Sequence, residues 1–233
     1  MWEYQDQDTK YLLNDKMTVF FKIKRILEAY TKASLATKIH ICLRWLTCPM
    51  EIILQFTPKA ASFLEIGCGH GLFSYLVSDA KKADVVHGVD ISQKKIAVAG
   101  LVEKKGVREF FCKDIKKLPA KKYDVIALID VLYLVPKEEW PEFFNIIYGL
   151  LNKSGVFILK EVVLVPYWKY IWLFIQEYLS MHLFCITTGS AFAVGSEEEL
   201  YEHLVTAGFR EIVVHHIDKG YAYPHIAFTM KKA

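Results

Sequence analysis

The run Phe63-Leu64-Glu65-Ile66-Gly67-Cys68-Gly69-His70-Gly71 constrains this chain more than any other stretch. An apolar strand ends on an acid, three glycines alternate with other residues, and a helical pattern follows at Leu72, Phe73, Tyr75, Leu76 and Val77. A strand that turns directly into a helix needs glycine where φ goes positive. It needs glycine again where the backbone must approach a ligand with no Cβ in the way. The spacing departs from the dinucleotide fingerprint Gly-x-Gly-x-x-Gly, because Leu72 stands where the third glycine would be.

The segments that follow repeat strand and helix in alternation, which implies a parallel sheet. Ala83 to Asp90 reads as a second strand ending on a carboxylate, about 20 residues past the glycine turn, where a doubly wound fold places an acid beside a ribose. Ser92 caps a helix expected to run to Lys105. Val107 to Cys112 reads as a third strand with Asp114-Ile115 at its carboxyl end. Tyr123 to Asp130 is a near-continuous apolar strand, as expected for one covered on both faces. Trp140 to Leu151 reads as a helix, Lys153-Ser154-Gly155 as a turn, and Val156 to Val163 as the next strand. Ser196-Glu197-Glu198-Glu199 has capping-box spacing and opens a helix that stops at Gly208. Glu211 to Ile217 and His225 to Lys231 read as the last two strands.

The Glu-x-Gly-x-Gly-x-Gly run, with Asp90 and Asp114-Ile115 on the next strand ends, resembles motif I and its sequel in class I S-adenosylmethionine (SAM) methyltransferases. The resemblance covers about residues 50–231. It implies an α/β fold, a doubly wound seven-stranded and mostly parallel sheet in the order 3-2-1-4-5-7-6 with an antiparallel final pair. It also implies SAM as cofactor, bound around Glu65, Gly67, Cys68, Gly69, Gly71, Asp90, Ile91, Asp114, Ile115 and Asp130. In that scheme Asp114 accepts from the adenine amino group, Ile115 covers the ring, and Ile129 to Leu134 runs beneath the methionine portion. Two other classes stay open: a nicotinamide-dependent oxidoreductase, and a non-catalytic protein on the same fold. The glycine spacing and the Asp114 segment disfavour the first, and the intact set of acids and glycines disfavours the second.

At 233 residues the chain is long enough for one α/β domain with additions. The reading divides it into a helical N-terminal lid, residues 1–49, and a SAM-binding domain, residues 50–233, with a cap insertion at 165–194. Five cysteines, Cys42, Cys48, Cys68, Cys112 and Cys185, show no C-x-x-C pair, so neither a disulfide framework nor a metal site is expected. The first residues lack a basic region with an apolar stretch behind it, so no signal peptide is expected and the chain reads as cytoplasmic. A formal net charge of +3 is too small to argue for nucleic acid.

Two apolar segments bear on substrate. From Tyr167 to Phe184 the polar residues Lys169, Gln176, Glu177 and Ser180 fall on one narrow stripe, and aromatic and aliphatic residues cover the rest. Such a helix packs in a core or dimer interface, or lines a pocket for an apolar acceptor. Pro166, Lys169 and Glu177 interrupt it too often for a bilayer span, which needs about 20 mostly apolar residues. Near the N-terminus, Met17, Phe20, Phe21, Ile23, Ile26, Leu27 and Tyr30 recur at helical spacing among basic residues. That pattern suits a lid helix with a solvated basic face, or docking on an anionic membrane at the inner face.

Methyl transfer asks mainly for alignment in a site that excludes water, and for a base only where the acceptor must lose a proton. The expected partner is a small, apolar or acyl-like acceptor, with O-methylation slightly favoured and a homodimer left open. The carboxyl edge of the sheet would carry the candidates. His225 comes first as base, since imidazole titrates near neutrality; Glu161 and Tyr133 follow. Lys160, Tyr221, Tyr223 and His182 lie on the same edge or in the cap.

Overall fold

A computed structural model describes residues 16–163, 193–221 and 224–233. Seven strands form one sheet: β1 (Ala60–Ile66), β2 (Ala83–Asp90), β3 (Arg108–Cys112), β4 (Tyr123–Ile129), β5 (Leu151–Val162), β6 (Phe209–His216) and β7 (His225–Lys232). Their order is β3-β2-β1-β4-β5-β7-β6, as expected. The first five strands pair in parallel, and β7 runs antiparallel to both β5 and β6.

Strand periodicity explains why the central strands are apolar throughout. Successive side chains point to opposite faces, and both faces are covered. On β4, Val125, Ala127 and Ile129 join one core cluster while Ile126 and Leu128 join the other. The first face is covered by α4 (Leu72–Asp79), α5 (Gln93–Ala99) and three N-terminal helices, α1 (Lys16–Ala29), α2 (Leu35–Thr47) and α3 (Met50–Phe56). The second is covered by α6 (Trp140–Leu150) and α7 (Glu197–Thr206) through Trp140, Phe144, Ile147, Leu200 and Leu204.

Local signals set the helix starts. Ser34, Ser92 and Ser196 each accept a hydrogen bond from the backbone N–H three residues on, satisfying an amide with no partner inside its helix. Pro49 sits at the N-cap of α3.

Three elements differ from the sequence reading. The helix after Ser92 stops at Ala99 and passes through a 3₁₀ turn, Gly100–Val102, rather than reaching Lys105. The Arg108 side chain, buried, donates to the Val102 carbonyl at 2.5 Å, and Lys104 bridges to Arg108, so that stretch is drawn into the sheet edge. Lys153-Ser154-Gly155 lies within β5 as an irregularity: Leu151 pairs with Tyr123 and Val156 with Val125. Ser154, at φ 59°, turns the chain there without ending the strand. Finally, β6 begins at Phe209, two residues early, because the Phe209 ring is buried against Tyr148 and Phe157. The expected Tyr167–Phe184 helix, His182, Cys185 and Tyr223 lie outside the described residues.

Candidate active site

The carboxyl edge of the parallel strands is where a doubly wound fold builds its site, and the glycine turn stands at its centre. Gly67, Gly69 and Gly71 have φ of 69°, 53° and 78°, the left-handed region where a side chain is strained. Two of them are also hemmed in. A Cβ on Gly67 would fall 2.4 Å from the Val131 side chain, and one on Gly71 would fall 2.7 Å from the Phe110 ring. Gly69 is different: a Cβ there would meet nothing within 4 Å. Its open side is the approach to the backbone that a ligand needs.

Asp90 ties this turn to the end of β2. Its Oδ2 accepts from the Gly69 N–H at 2.9 Å, and its Oδ1 from the Ser92 N–H at 2.8 Å. Each oxygen keeps a second lone pair, so the carboxylate can position the turn and still accept from ribose hydroxyls. Ile91, beside it, is 68% exposed, unusual for an isoleucine next to a buried strand end. Asp114, at the end of β3, uses Oδ1 to accept from the Lys116 N–H at 2.9 Å and is half-buried. Ile115 is buried against the second core cluster. An adenosine fits this arrangement: open backbone at Gly69, an exposed apolar residue at Ile91, and two carboxylates on adjacent strand ends.

Other residues assigned by resemblance support the turn from behind. Glu65 is buried, and its Oε2 accepts from the Ser74 N–H at 2.8 Å and the Ser74 hydroxyl at 2.5 Å. Burial pushes its carboxyl up to about 7, against the pull of those two donors. The side chain therefore anchors the first turn of α4. Cys68 is buried beneath Gly88, its thiol raised by burial and by Glu65.

Asp130 begins the segment after β4 with φ 52°, in the left-handed region. Its carboxylate pairs with the fully buried Lys160 and with Arg44 of α2, the latter at 2.7 Å. Burial opposes its charge, but Lys160 and Arg44 outweigh burial and hold it well below the usual carboxylate range. Arg44 was not singled out as a site residue in the sequence, because its partner is 86 positions away. Its signal was only an arginine beside the buried Trp45 of α2.

The N-terminal helices reach the glycine turn at two more points. The buried Tyr30 hydroxyl donates to the His70 carbonyl at 2.9 Å. The His40 and His70 rings meet edge to face at 5.0 Å, and burial lowers both imidazoles to about 4.

The catalytic candidates separate. Glu161 and Tyr133 line a small cavity with Leu132, Trp140, Val162 and Leu200. Glu161 Oε1 accepts from the Val131 and Leu132 N–H groups at 3.0 and 2.8 Å, fixing the turn whose Val131 packs on Gly67. Burial, and after it Asp130, pushes the Glu161 carboxyl up to about 8 although both amides pull the other way. The amides share one oxygen, so the other can hold a proton. His225 does not line this cavity. It is buried at the start of β7, and its Nε2 donates to the Thr47 carbonyl at 2.9 Å. Burial and Lys160 lower its pKa to about 3. The base expected from the sequence position of His225 is thus an imidazole that burial keeps neutral and weakly basic.

Known proteins agree with the fold. A family model described as a methyltransferase domain matches residues 44–214. The ubiquinone biosynthesis O-methyltransferase of Coxiella burnetii is 36% identical over 86 residues, 35% of this chain and 36% of that enzyme, so the match spans about a third of its length. The magnesium protoporphyrin IX methyltransferase of Synechocystis, solved with S-adenosylhomocysteine, superposes with a TM-score of 0.61 at 18% identity, covering 91% of this chain and 94% of that one. The cyclopropane synthase MmaA2 of Mycobacterium tuberculosis gives a TM-score of 0.61 at 14% identity over 78% and 82% of the two chains. With the family model spanning most of the sequence and taking in the glycine turn, this chain belongs to the class I SAM-dependent methyltransferases.

Proposed function

We propose that the protein transfers the methyl group of SAM to a small apolar acceptor carrying a hydroxyl, with Glu161 taking the acceptor's proton. The observation that carries this reading is the buried carboxyl of Glu161 beside the segment after β4, at the carboxyl edge of the sheet. Leu132, Trp140, Val162 and Leu200 surround it with apolar groups, and with Tyr133 they leave room beside it for about one water. SAM supplies an activated methyl on its sulfonium. The chain's own work is to hold, orient and exclude water.

Asp90 and Asp114 accept from the ribose and adenine, the glycine turn admits the cofactor, and Asp130 with Lys160 and Arg44 holds the segment beneath it. Glu161 is better matched to a proton-bearing acceptor than His225, since a carboxyl near 8 is poised to exchange a proton near neutral pH. Tyr133 orients the acceptor. The N-terminal helices act as a lid, tied down by Tyr30 and Arg44. The O-methyltransferase match favours oxygen as the acceptor atom, and the apolar side chains around Glu161 favour an apolar acceptor. No described helix is long and apolar enough to cross a membrane.

Incubation of the protein with methyl-labelled SAM and a total cell extract, followed by partition between organic solvent and water, tests the reading. Label in organic-soluble products, and a methyl ether or ester by mass spectrometry, is the expected result. Label confined to water-soluble products would overturn the apolar acceptor.

A further inference from the structure

We propose that the outer face of α2 is a docking surface for an anionic lipid bilayer, an inference that rests on the apolar-acceptor reading. The helix is apolar on two opposed sides. Ile41 and Trp45 point into the core and are 1% and 3% exposed. Leu35, Ile39, Leu43 and Leu46 follow one another at spacings of four, four and three, which puts them on a single stripe of the opposite side. All four are exposed, Leu35 at 74%. Phe20 and Phe21, near the start of α1, are 62% and 58% exposed as well. Scattered exposed leucines need no explanation, but a stripe running the length of a helix does.

Charge chooses the occupant. Between residues 20 and 47 six basic side chains stand against one acid, Glu28; Lys22, Arg25 and Arg44 are paired with Glu51, Asp79 and Asp130, which leaves Lys24, Lys32 and Lys38 for the stripe. The whole chain carries only +3, so the rest of the molecule is on balance acidic; with Glu51, Asp79 and Asp130 set against their three partners, this face still keeps a net charge of +2. A second copy of the same basic face would bring like charges together, which opposes association. An anionic bilayer answers both features: acyl chains take the leucines and headgroups take the lysines, the usual arrangement for a helix lying in the interface.

The position also makes sense of the site. Arg44, which pairs with Asp130 at the end of β4, lies on α2 between Leu43 and Trp45. A bilayer seated on the outer stripe therefore lies one helix away from the carboxyl edge, where an apolar acceptor would leave the membrane.

Co-sedimentation with phosphatidylcholine vesicles, with and without phosphatidylglycerol, tests the surface. The protein should pellet with the anionic vesicles, remain in solution with neutral ones, and be released by added salt as surface charges are screened. Ile39→Gln with Leu43→Gln keeps helix propensity but removes apolar surface, and should weaken vesicle binding about tenfold or more. Lys24→Gln with Lys32→Gln should weaken it about fivefold per residue. Both double variants should keep the far-ultraviolet dichroism and SAM affinity of the parent.

A parent that stays in the supernatant at every composition would overturn the proposal. So would unchanged vesicle binding in the Ile39/Leu43 variant, or a dimer in sedimentation velocity that this variant dissociates. The acceptor reading fails separately. Vesicle binding together with label only in water-soluble products would leave the surface standing and remove its purpose.

Discussion

At the scale of single residues, the site is a contest between burial and partners, and the partners differ. Asp130 is buried with two cations and stays charged, whereas Glu161 is buried one strand away with two amides and is pushed up to about 8. His225 is buried beside Lys160 and lowered to about 3. A base must be deprotonated to act, so the rate of transfer to a hydroxyl should rise with pH through about 8 as Glu161 ionises. Glu161→Gln keeps an acceptor for the Val131 and Leu132 amides but removes the base. It should cost on the order of 10²–10⁴-fold in rate and flatten that rise, with SAM affinity retained. His225→Asn should leave the pH profile in place. Steady-state rates across pH for the three proteins check this ordering. A profile that flattens with His225→Asn and not with Glu161→Gln would restore the histidine.

At the scale of elements, the N-terminal helices are held by few polar contacts over a broad apolar one. Tyr30 buries its ring beside Ile26 and Ile41 in the first core cluster and spends its hydroxyl on the His70 carbonyl. Tyr30→Phe removes the donor and leaves that carbonyl without it, which should cost about 1–3 kcal/mol of stability in urea unfolding and loosen the glycine turn. An unchanged midpoint would mean that the carbonyl is satisfied without Tyr30. The elements were largely legible in the sequence. The glycine turn, the acids on β2 and β3 and the period of β4 come from residues close together, whose constraints are local. What was not legible came from distance: Arg44 meets Asp130 across 86 positions, and Arg108 shortens the helix after Ser92 through the sheet edge. The chemical ranking of His225 over Glu161 rested on free-solution pKa values, and our proposal of the opposite order rests on burial within the fold. The apolar periodicity of α1 was visible, but not which residues it buries. Ile26 and Tyr30 go inward, and Phe20 and Phe21 are left outside.

At the scale of the whole molecule, the buried histidines and glutamates give stability a maximum in pH. His40, His70 and His215 are lowered to about 4 and His225 to about 3, each chiefly by burial. Between those values and the 6.5 of a free imidazole, the unfolded chain binds more protons than the native one, so stability rises with pH through that window. Glu65 and Glu161 act in the opposite sense. Raised to about 7 and about 8, they hold protons that the unfolded chain has lost above 4.5, so their contribution declines as pH rises through those values. Four histidines outnumber two glutamates in the acid window. Thermal unfolding should therefore show the midpoint climbing to near neutral pH and then falling gently. A midpoint highest at pH 5 would contradict the buried, neutral state of the histidines. The central claim is that the turn at Gly69 and the carboxylate of Asp90 bind SAM, and calorimetric titration tests it most directly. Wild type should bind SAM with one site per chain and ignore NAD. Gly69→Val, which sets a branched side chain in the open approach, should lose SAM binding while remaining folded. NAD binding by wild type, or SAM affinity unchanged in Gly69→Val, would contradict the account.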